Sequence, residues 1–395
     1  MRIAIDCRTI LNPGYGESAG IGHYVYFLVK NLLRLDRRNE YRLFFDRRLS
    51  KEAADSFIGG AKNARPVFLP LANYKKYLPI AYSHFLVAAA FFREKPDLTH
   101  FPAGSSPLAL NLPTVVTVHD LTIYSHPEWF PKQELSVKVS YPRTVKAARR
   151  LIAVSQATKR DLQQVFGLSG RKISVIYPGV EVSGSGIYEE DIFDEDDAVD
   201  FADLTKRYKL RKPYFLFLGT LEPRKNVKYL CEAFARAWKK SAIVREMELL
   251  IAGRPGWSDG GAVAAIKKTA RLSGGAVRSL GYVAHRDKFP LMRAARVFVF
   301  PSLAEGFGMP VAEALSLGVP TVVSDIPVFH EVAGRAALYT DPLKPEEMTG
   351  VLIKAVSDER AHLRLAKAGP RQAKRFSWEK AARETLAVYR QAVKK

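Results

Sequence analysis

The sequence predicts an α/β protein built from two open, parallel-sheet domains, and three observations carry that prediction. Short apolar runs such as RIAID (2–6), TVVTV (114–118), YFLFL (214–218) and VFVF (297–300) alternate with helical stretches through both halves of the chain. Strands separated by helix-length intervals indicate βαβ units. The alternation breaks once, from Glu181, where GSG (184–186) and EEDIFDEDDAVD (189–200) read as a linker or an exposed acidic insertion. Glycine-rich or polar loops then follow several strand runs at their carboxyl ends, where open α/β sheets bind ligands. The expected division is a first domain over 1–180, an acidic connection over 181–210 and a second domain over 211–379.

Taken in order, the 2–6 strand is followed by a loop and by the amphipathic helix IGHYVYFLVKNLLRL from Ile21. Gly14 to Ala19 matches GxGxx[G/A], but its first glycine comes eight residues after Asp6 rather than directly after the strand, so a dinucleotide fingerprint is discounted. Gly20 and Gly22 are better placed, at the helix opening. YRLFF, PVFL and DLTHF supply further strands. The apolar stretch Tyr77 to Phe92, flanked by Lys75, Lys76, Arg93 and Lys95, contains Pro79, Ser83 and His84. It is too short and interrupted for a membrane span. It is expected to be a buried helix, with a membrane-surface helix as the alternative. TVVTV ends in His119 and Asp120. LIAVS is a strand whose Ser155 caps the next helix, and KISVIYPGV closes the domain. In the second half, NVKYLCEAFARAW is a helix and MELLIAG and VRSLGYV are strands, ending at Arg254 and Val283.

Composition narrows the function classes. The 395 residues carry a formal net charge of +21. The 1–180 stretch has 26 basic against 13 acidic side chains, and 211–395 has 32 against 17. Basic domains of this kind suit anionic lipid, phosphorylated substrates or nucleic acid, and charge alone does not choose among them. The start, MRIAIDCRTI, goes straight into a strand pattern without a signal peptide's sections. Cys7 and Cys231 are too few for a disulfide framework, fit a reducing cytoplasm, and read as packing residues. Asp194-Glu195-Asp196 forms a DxD, but in a polar charge run rather than at the end of a buried strand, so no metal is assigned to it.

The most informative stretch is PSLAEGFGMPVAEALSLGVPTVVSD (301–325). It reads as a strand end, a glycine loop, a helix opened by Pro310 and closed at Gly318, and a further strand. Backbone N–H groups at Gly308, Met309 and Val311, around Pro310, would then cap a positive helix end suited to a diphosphate. Glu305 before the helix and Glu313 within it would lie roughly 10 Å apart. That frame fits a nucleotide-sugar, with one carboxylate on hexose hydroxyls and the other on ribose. Two unconnected surface glutamates are the alternative that spacing leaves open. Arg224 and Lys225 follow the YFLFLG strand, where a cationic pair can neutralise a leaving diphosphate. A solvated loop pair is the alternative there.

EGFGMPVAEA resembles the E-x7-E signature of retaining glycosyltransferases of family 4, which have the two-domain GT-B fold. The resemblance extends in order through VTVHDL (116–121), AVSQAT (153–158), IYPGV (176–180), GTLEPRKN (219–226), AGRPGW (252–257), LGYV (280–283) and FSWEKAA (376–382). It implies two Rossmann-like domains facing across a cleft, with the final helix, about 380–395, packed back on the first. It implies transfer of a hexosyl group from a nucleotide-sugar with retention of configuration and without a metal or other cofactor. Lys225 would contact phosphate with Arg224 assisting, Glu305 would hold the sugar, Glu313 the ribose, and His119 the far side of the transferred ring. Gly20, Gly22 and Asp120 would approach donor and acceptor, and Arg254 and Val283 would lie near the nucleobase. Thr220 stands where many members have arginine, which leaves Arg224 the candidate for that work. GTLEPRKN-type members suggest GDP-mannose first and UDP-hexose next, with a glycan or lipid-linked acceptor for surface polysaccharide. A cytoplasmic enzyme touching the inner membrane face through its basic first domain is expected, with no nucleic-acid partner. An epimerase, a phosphorylase, a NAD-dependent dehydrogenase and a nucleic-acid binder are the competing classes.

Overall fold

The computed structural model describes residues 1–11, 20–69, 82–130, 136–180, 201–256 and 258–394. The discounted glycine pattern at 14–19 and the DxD at 194–196 lie outside them. The chain divides into two compact units, Met1–Gly179 with Phe376–Lys395, and Val180–Arg375.

The first unit is built on seven strands: β1 (Arg2–Asp6), β2 (Glu40–Asp46), β3 (Ala64–Leu69), β4 (Leu98–Phe101), β5 (Thr114–Val118), β6 (Arg150–Ala153) and β7 (Ile173–Val175). They pair in the order β3-β2-β1-β4-β5-β6-β7, all parallel. Every residue of β4 and β5 is buried, because crossover helices cover both faces of a parallel sheet. A slab of aromatic rings fills one side. Phe44 and Phe91 stack with centroids 3.8 Å apart, and Phe101 follows Phe91 at 5.0 Å.

The last helix, Trp378–Val393, belongs to this unit and packs along the Gly20–Leu35 helix. Trp378 enters between Tyr24 and Phe27, with ring centroids 5.6 and 5.7 Å away. Gly179 makes room for it, since a Cβ there would sit 2.2 Å from the Trp378 backbone nitrogen. Deeper in, the His100 ring bridges Tyr389 Oη (2.7 Å) and Thr117 Oγ1 (2.9 Å), joining the helix to β4 and β5.

The second unit has six strands: β8 (Tyr214–Leu218), β9 (Glu248–Ala252), β10 (Val277–Gly281), β11 (Val297–Phe300), β12 (Thr321–Ser324) and β13 (Ala337–Thr340). Their order is β10-β9-β8-β11-β12-β13, again all parallel. Strand order reverses between β8 and β11, so the loops leaving these two strands meet at their shared carboxyl edge.

Three expectations change. The end of the acidic connection is ordered: Phe201–Tyr208 is a helix, held where Arg207 and the Tyr208 hydroxyl both donate to the buried carboxylate of Asp287. The stretch ending at Phe92 is only half-buried. Val87, Ala88 and Phe91 face the core, whereas Phe85 and Phe92 are 61% and 41% exposed. Local apolarity does not reveal which side of such a helix meets the sheet. Finally, the Val311 N–H expected to face a ligand donates to the Gly308 carbonyl at 2.9 Å.

Candidate active site

At the second unit's switch point the β8 and β11 loops bring three sequence-predicted residues into contact. Leu218 ends β8, Leu221 forms a bridge with Pro255 in the loop after β9, and Pro223–Lys225 forms one 3₁₀ turn. The Leu221 N–H donates to the Arg254 carbonyl (2.8 Å) and the Gly256 N–H to the Leu221 carbonyl (2.9 Å), so the loops after β8 and β9 are tied through backbone. Asn226 leaves the turn in left-handed conformation (φ 59°), and its side-chain amide donates to the Pro342 carbonyl at 2.7 Å. Those constraints aim Arg224 and Lys225 at the β11 loop, where the Leu303 N–H donates to the Arg224 carbonyl at 2.7 Å.

There, Arg224 Nη1 donates to Glu305 Oε2 at 2.9 Å, and Lys225 Nζ donates to Glu305 Oε1. Arg224 Nε donates in turn to Glu222 Oε2 at 2.9 Å. The cations are therefore not solvated loop residues. The Lys225 and Glu305 side chains are only 9% and 8% exposed, and the Lys225 ammonium sits 4.7 Å from the Phe300 ring centroid. Burial works to raise the Glu305 pKa, but the charges of Arg224 and Lys225 overcome it and hold the carboxyl at about 2. Burial, with repulsion from Arg224, keeps Lys225 below the usual lysine range despite Glu305. Glu305 is thus an acceptor at neutral pH, unsuited to donating a proton.

The next helix, Met309–Ser316, begins after Gly308 at φ +87°. Any Cβ at that position would meet the Phe329 ring at 2.7 Å, so glycine is required both for conformation and for space. Pro310 lies in the first turn, as expected. Glu313, one turn on, is buried and accepts from Lys288 Nζ at 2.5 Å. Arg254 lies over the Tyr282 ring at 4.4 Å, beside Val283 at the β10 end.

The first unit holds the remaining candidates. His119 Nε2 donates to the Pro102 carbonyl at 2.7 Å, which leaves Nδ1 as the acceptor nitrogen of a neutral ring. Burial lowers its pKa, opposed by that hydrogen bond and by Asp120. Asp120 accepts from the Thr122 N–H at 3.0 Å. Gly20 and Gly22 lie in the first turn of Gly20–Leu35, and Tyr24, just beyond, meets the His119 ring edge-on at 4.8 Å.

Two residues escaped sequence reading as site members. Glu222 carries no sequence signal of its own, and its role comes from accepting from Arg224 two residues on. Lys288 lies in HRDKFPLMR, where a lysine on an amphipathic helix reads as solvated. Its partner lies 25 residues away on another helix, which spacing cannot indicate.

Two family models cover most of this architecture: "Glycosyltransferase Family 4" over residues 18–183 and "Glycosyl transferases group 1" over 202–384. The chain is a glycosyltransferase. Among curated relatives of this glycosyltransferase, "O-antigen chain mannosyltransferase B" of Escherichia coli is 29% identical over 278 residues, covering 70% of each chain. "O-antigen chain mannosyltransferase RfbU" of Salmonella typhimurium is 28% identical over 227 residues, 58% of this chain and 56% of that one. Among solved structures, Anabaena Alr3699/HepE in complex with UDP and glucose superposes with a TM-score of 0.71 over 99% of this chain and 100% of that one, at 19% identity. WaaG, a glycosyltransferase involved in lipopolysaccharide biosynthesis, gives 0.68 over 99% and 96%, at 14% identity. Those likenesses establish the GT-B fold. Among the described residues of the glycosyltransferase, no helix is long and apolar enough to cross a membrane.

Proposed function

We propose that this glycosyltransferase moves a hexosyl group, with mannose from GDP-mannose as first candidate, to a hydroxyl of a glycan or lipid-linked acceptor, retaining anomeric configuration. The observation that carries the reading is the Glu305 carboxylate clamped by Arg224 and Lys225 at the second domain's switch point. Relatives named as O-antigen mannosyltransferases support the sugar, and the UDP and glucose bound by HepE support a nucleotide-sugar donor.

In this reading the diphosphate lies against Arg224, Lys225 and the turn at Gly308–Pro310. An ammonium has three donors and a guanidinium five, so both cations serve Glu305 and a phosphate together. As the glycosidic C–O bond breaks, the largely buried pair stabilises charge growing on the leaving diphosphate. That is work a divalent metal does elsewhere, and activity is expected to persist in EDTA. Glu305, ionised and oriented, accepts from hexose hydroxyls. The acceptor hydroxyl attacks from the face the diphosphate leaves, and a diphosphate oxygen takes its proton. His119 offers Nδ1 to the transferred sugar, and Glu313 takes the ribose. Arg254 and Val283 line the nucleobase, and Gly20, Gly22 and Asp120 serve the acceptor side. The basic first domain favours an acceptor at an anionic membrane surface.

A thermal-shift panel of GDP, UDP and their sugars tests donor binding, and proton NMR of the product's anomeric signal tests retention. No stabilisation by any nucleoside diphosphate, or a product of inverted configuration, overturns the reading.

A further inference from the structure

Glu313 is buried but incompletely satisfied. Its Oε1 accepts from Lys288 at 2.5 Å, whereas Oε2 is buried with no hydrogen-bond partner among the described residues. A carboxylate has about four acceptor sites, and a buried acceptor without a donor is costly. Lys288 is itself mostly covered, with 16% of its side chain exposed and its ammonium 4.8 Å from the Phe289 ring centroid. It comes from the His285–Arg293 helix after β10 and reaches across to the helix after β11.

The charges around the switch point give this pair a second meaning. Glu222, Glu305 and Glu313 are matched by Arg224, Lys225 and Lys288, so the set is neutral with Lys288 and carries one net negative charge without it. A diphosphate would approach that negative set against repulsion.

We propose that Lys288 is the positioning residue for Glu313: it neutralises one carboxylate oxygen and fixes the group so that its remaining acceptor capacity is directed to the ribose hydroxyls of the donor nucleotide. The inference rests on the nucleotide-sugar reading above. It makes Lys288, rather than Glu313 alone, the source of selectivity for a ribonucleotide. A ribose hydroxyl donating to an ionised carboxylate is a charge-assisted contact, and losing one is expected to weaken binding about tenfold or more.

The test is calorimetric titration of the full chain with GDP and UDP and with their 2′-deoxy forms. The expected wild-type result is tighter binding of the ribonucleotide by about tenfold. Lys288→Met should weaken the ribonucleotide about tenfold and shrink the ribo-to-deoxy ratio toward unity, while Lys288→Arg should restore most of the ratio. Because Lys288→Met strands a buried carboxylate, thermal melting accompanies each titration. Lys288→Met/Glu313→Gln, with no charge left to strand, provides the same readout if the single variant does not fold. Its ratio should also be near unity.

Three results overturn the inference while leaving nucleotide binding intact: a wild type that binds ribo and deoxy forms equally, a Lys288→Met variant that loses affinity for both in proportion, and one that is unchanged. A wild type that binds no nucleoside diphosphate instead removes the underlying functional reading.

Discussion

The two domains share one architecture but build different buried networks on it. In the first, the network that ties the last helix to the sheet is neutral: His100 between Tyr389 and Thr117, with Tyr24 3.5 Å from the same threonine hydroxyl, while the buried carboxylates Asp6, Asp36 and Asp46 lie at the ends of their elements. In the second, the network is charged: Glu222, Arg224, Lys225 and Glu305 in one chain of contacts, with Lys288 and Glu313 on a neighbouring helix pair. A neutral network joins elements at modest cost and asks for no ligand. Buried ion pairs are a poor way to gain stability, because desolvation offsets much of their attraction. Concentrating them at one sheet edge makes sense where they have a charged ligand to meet.

The largest expected effect lies in the charged region. Lys225→Met keeps the volume and removes the ammonium that faces Glu305. Transfer from a nucleotide-sugar should fall about 10²–10³-fold in kcat, the usual loss on removing one donor from a developing oxyanion. Steady-state rates with a radiolabelled donor sugar measure it, and a loss below tenfold would mean that the cluster is structural.

Stability should follow the same contrast. Lys225→Met leaves a buried carboxylate with Arg224 alone, and breaking a buried pair costs about 3–5 kcal/mol. Adding Glu305→Met should recover part of that cost, since it removes the stranded charge. In the neutral region, Tyr389→Phe removes only the hydroxyl bonded to His100. The expected loss there is about 1–3 kcal/mol, with affinity for nucleoside diphosphates unchanged. Urea titrations read both, and equal losses in the two regions would dissolve the distinction between them.

Much of this was legible before any coordinates. The strands over 2–6, 114–118 and 297–300 follow from apolar runs, and Ser155, Pro310 and Gly308 follow from capping and turn chemistry. Each of these is a local property, fixed by a few neighbouring residues. Arg224, Lys225 and Glu305 were each singled out, but not their mutual contact, which depends on β8 and β11 being neighbours at the reversal of strand order. Lys288 was invisible because its partner lies on another helix, whereas the Val311 N–H closes onto Gly308 within the first turn of its own helix. Phe85 and Phe92 show the converse failure, because an apolar run does not say which of its residues the fold leaves outside.

Acid should separate the two kinds of buried group by where each begins to lose stability. Burial, with a smaller push from His119, lowers His100 from 6.5 to about 3. Below about 6.5 the unfolded chain's imidazole takes a proton that the folded one refuses, so the unfolded state binds more protons and stability falls as pH drops toward 3. The slope is at most about 1.4 kcal/mol per pH unit for one group. Glu305 behaves differently, because its folded value of about 2 lies below the ordinary 4.5. Its contribution is complete above about 4.5 and is lost only as pH falls from there through 2. Between pH 6.5 and 5, then, the first domain's imidazole should contribute while the second domain's carboxylate stays silent. His285, lowered to about 4 by burial and Lys288, titrates in the same range, so the comparison is made by variant. Unfolding free energies of wild type and His100→Asn should draw together as pH falls across that interval, with the variant the flatter. Parallel curves would show that His100 is protonated alike in both states and that the neutral network is not what the geometry makes it.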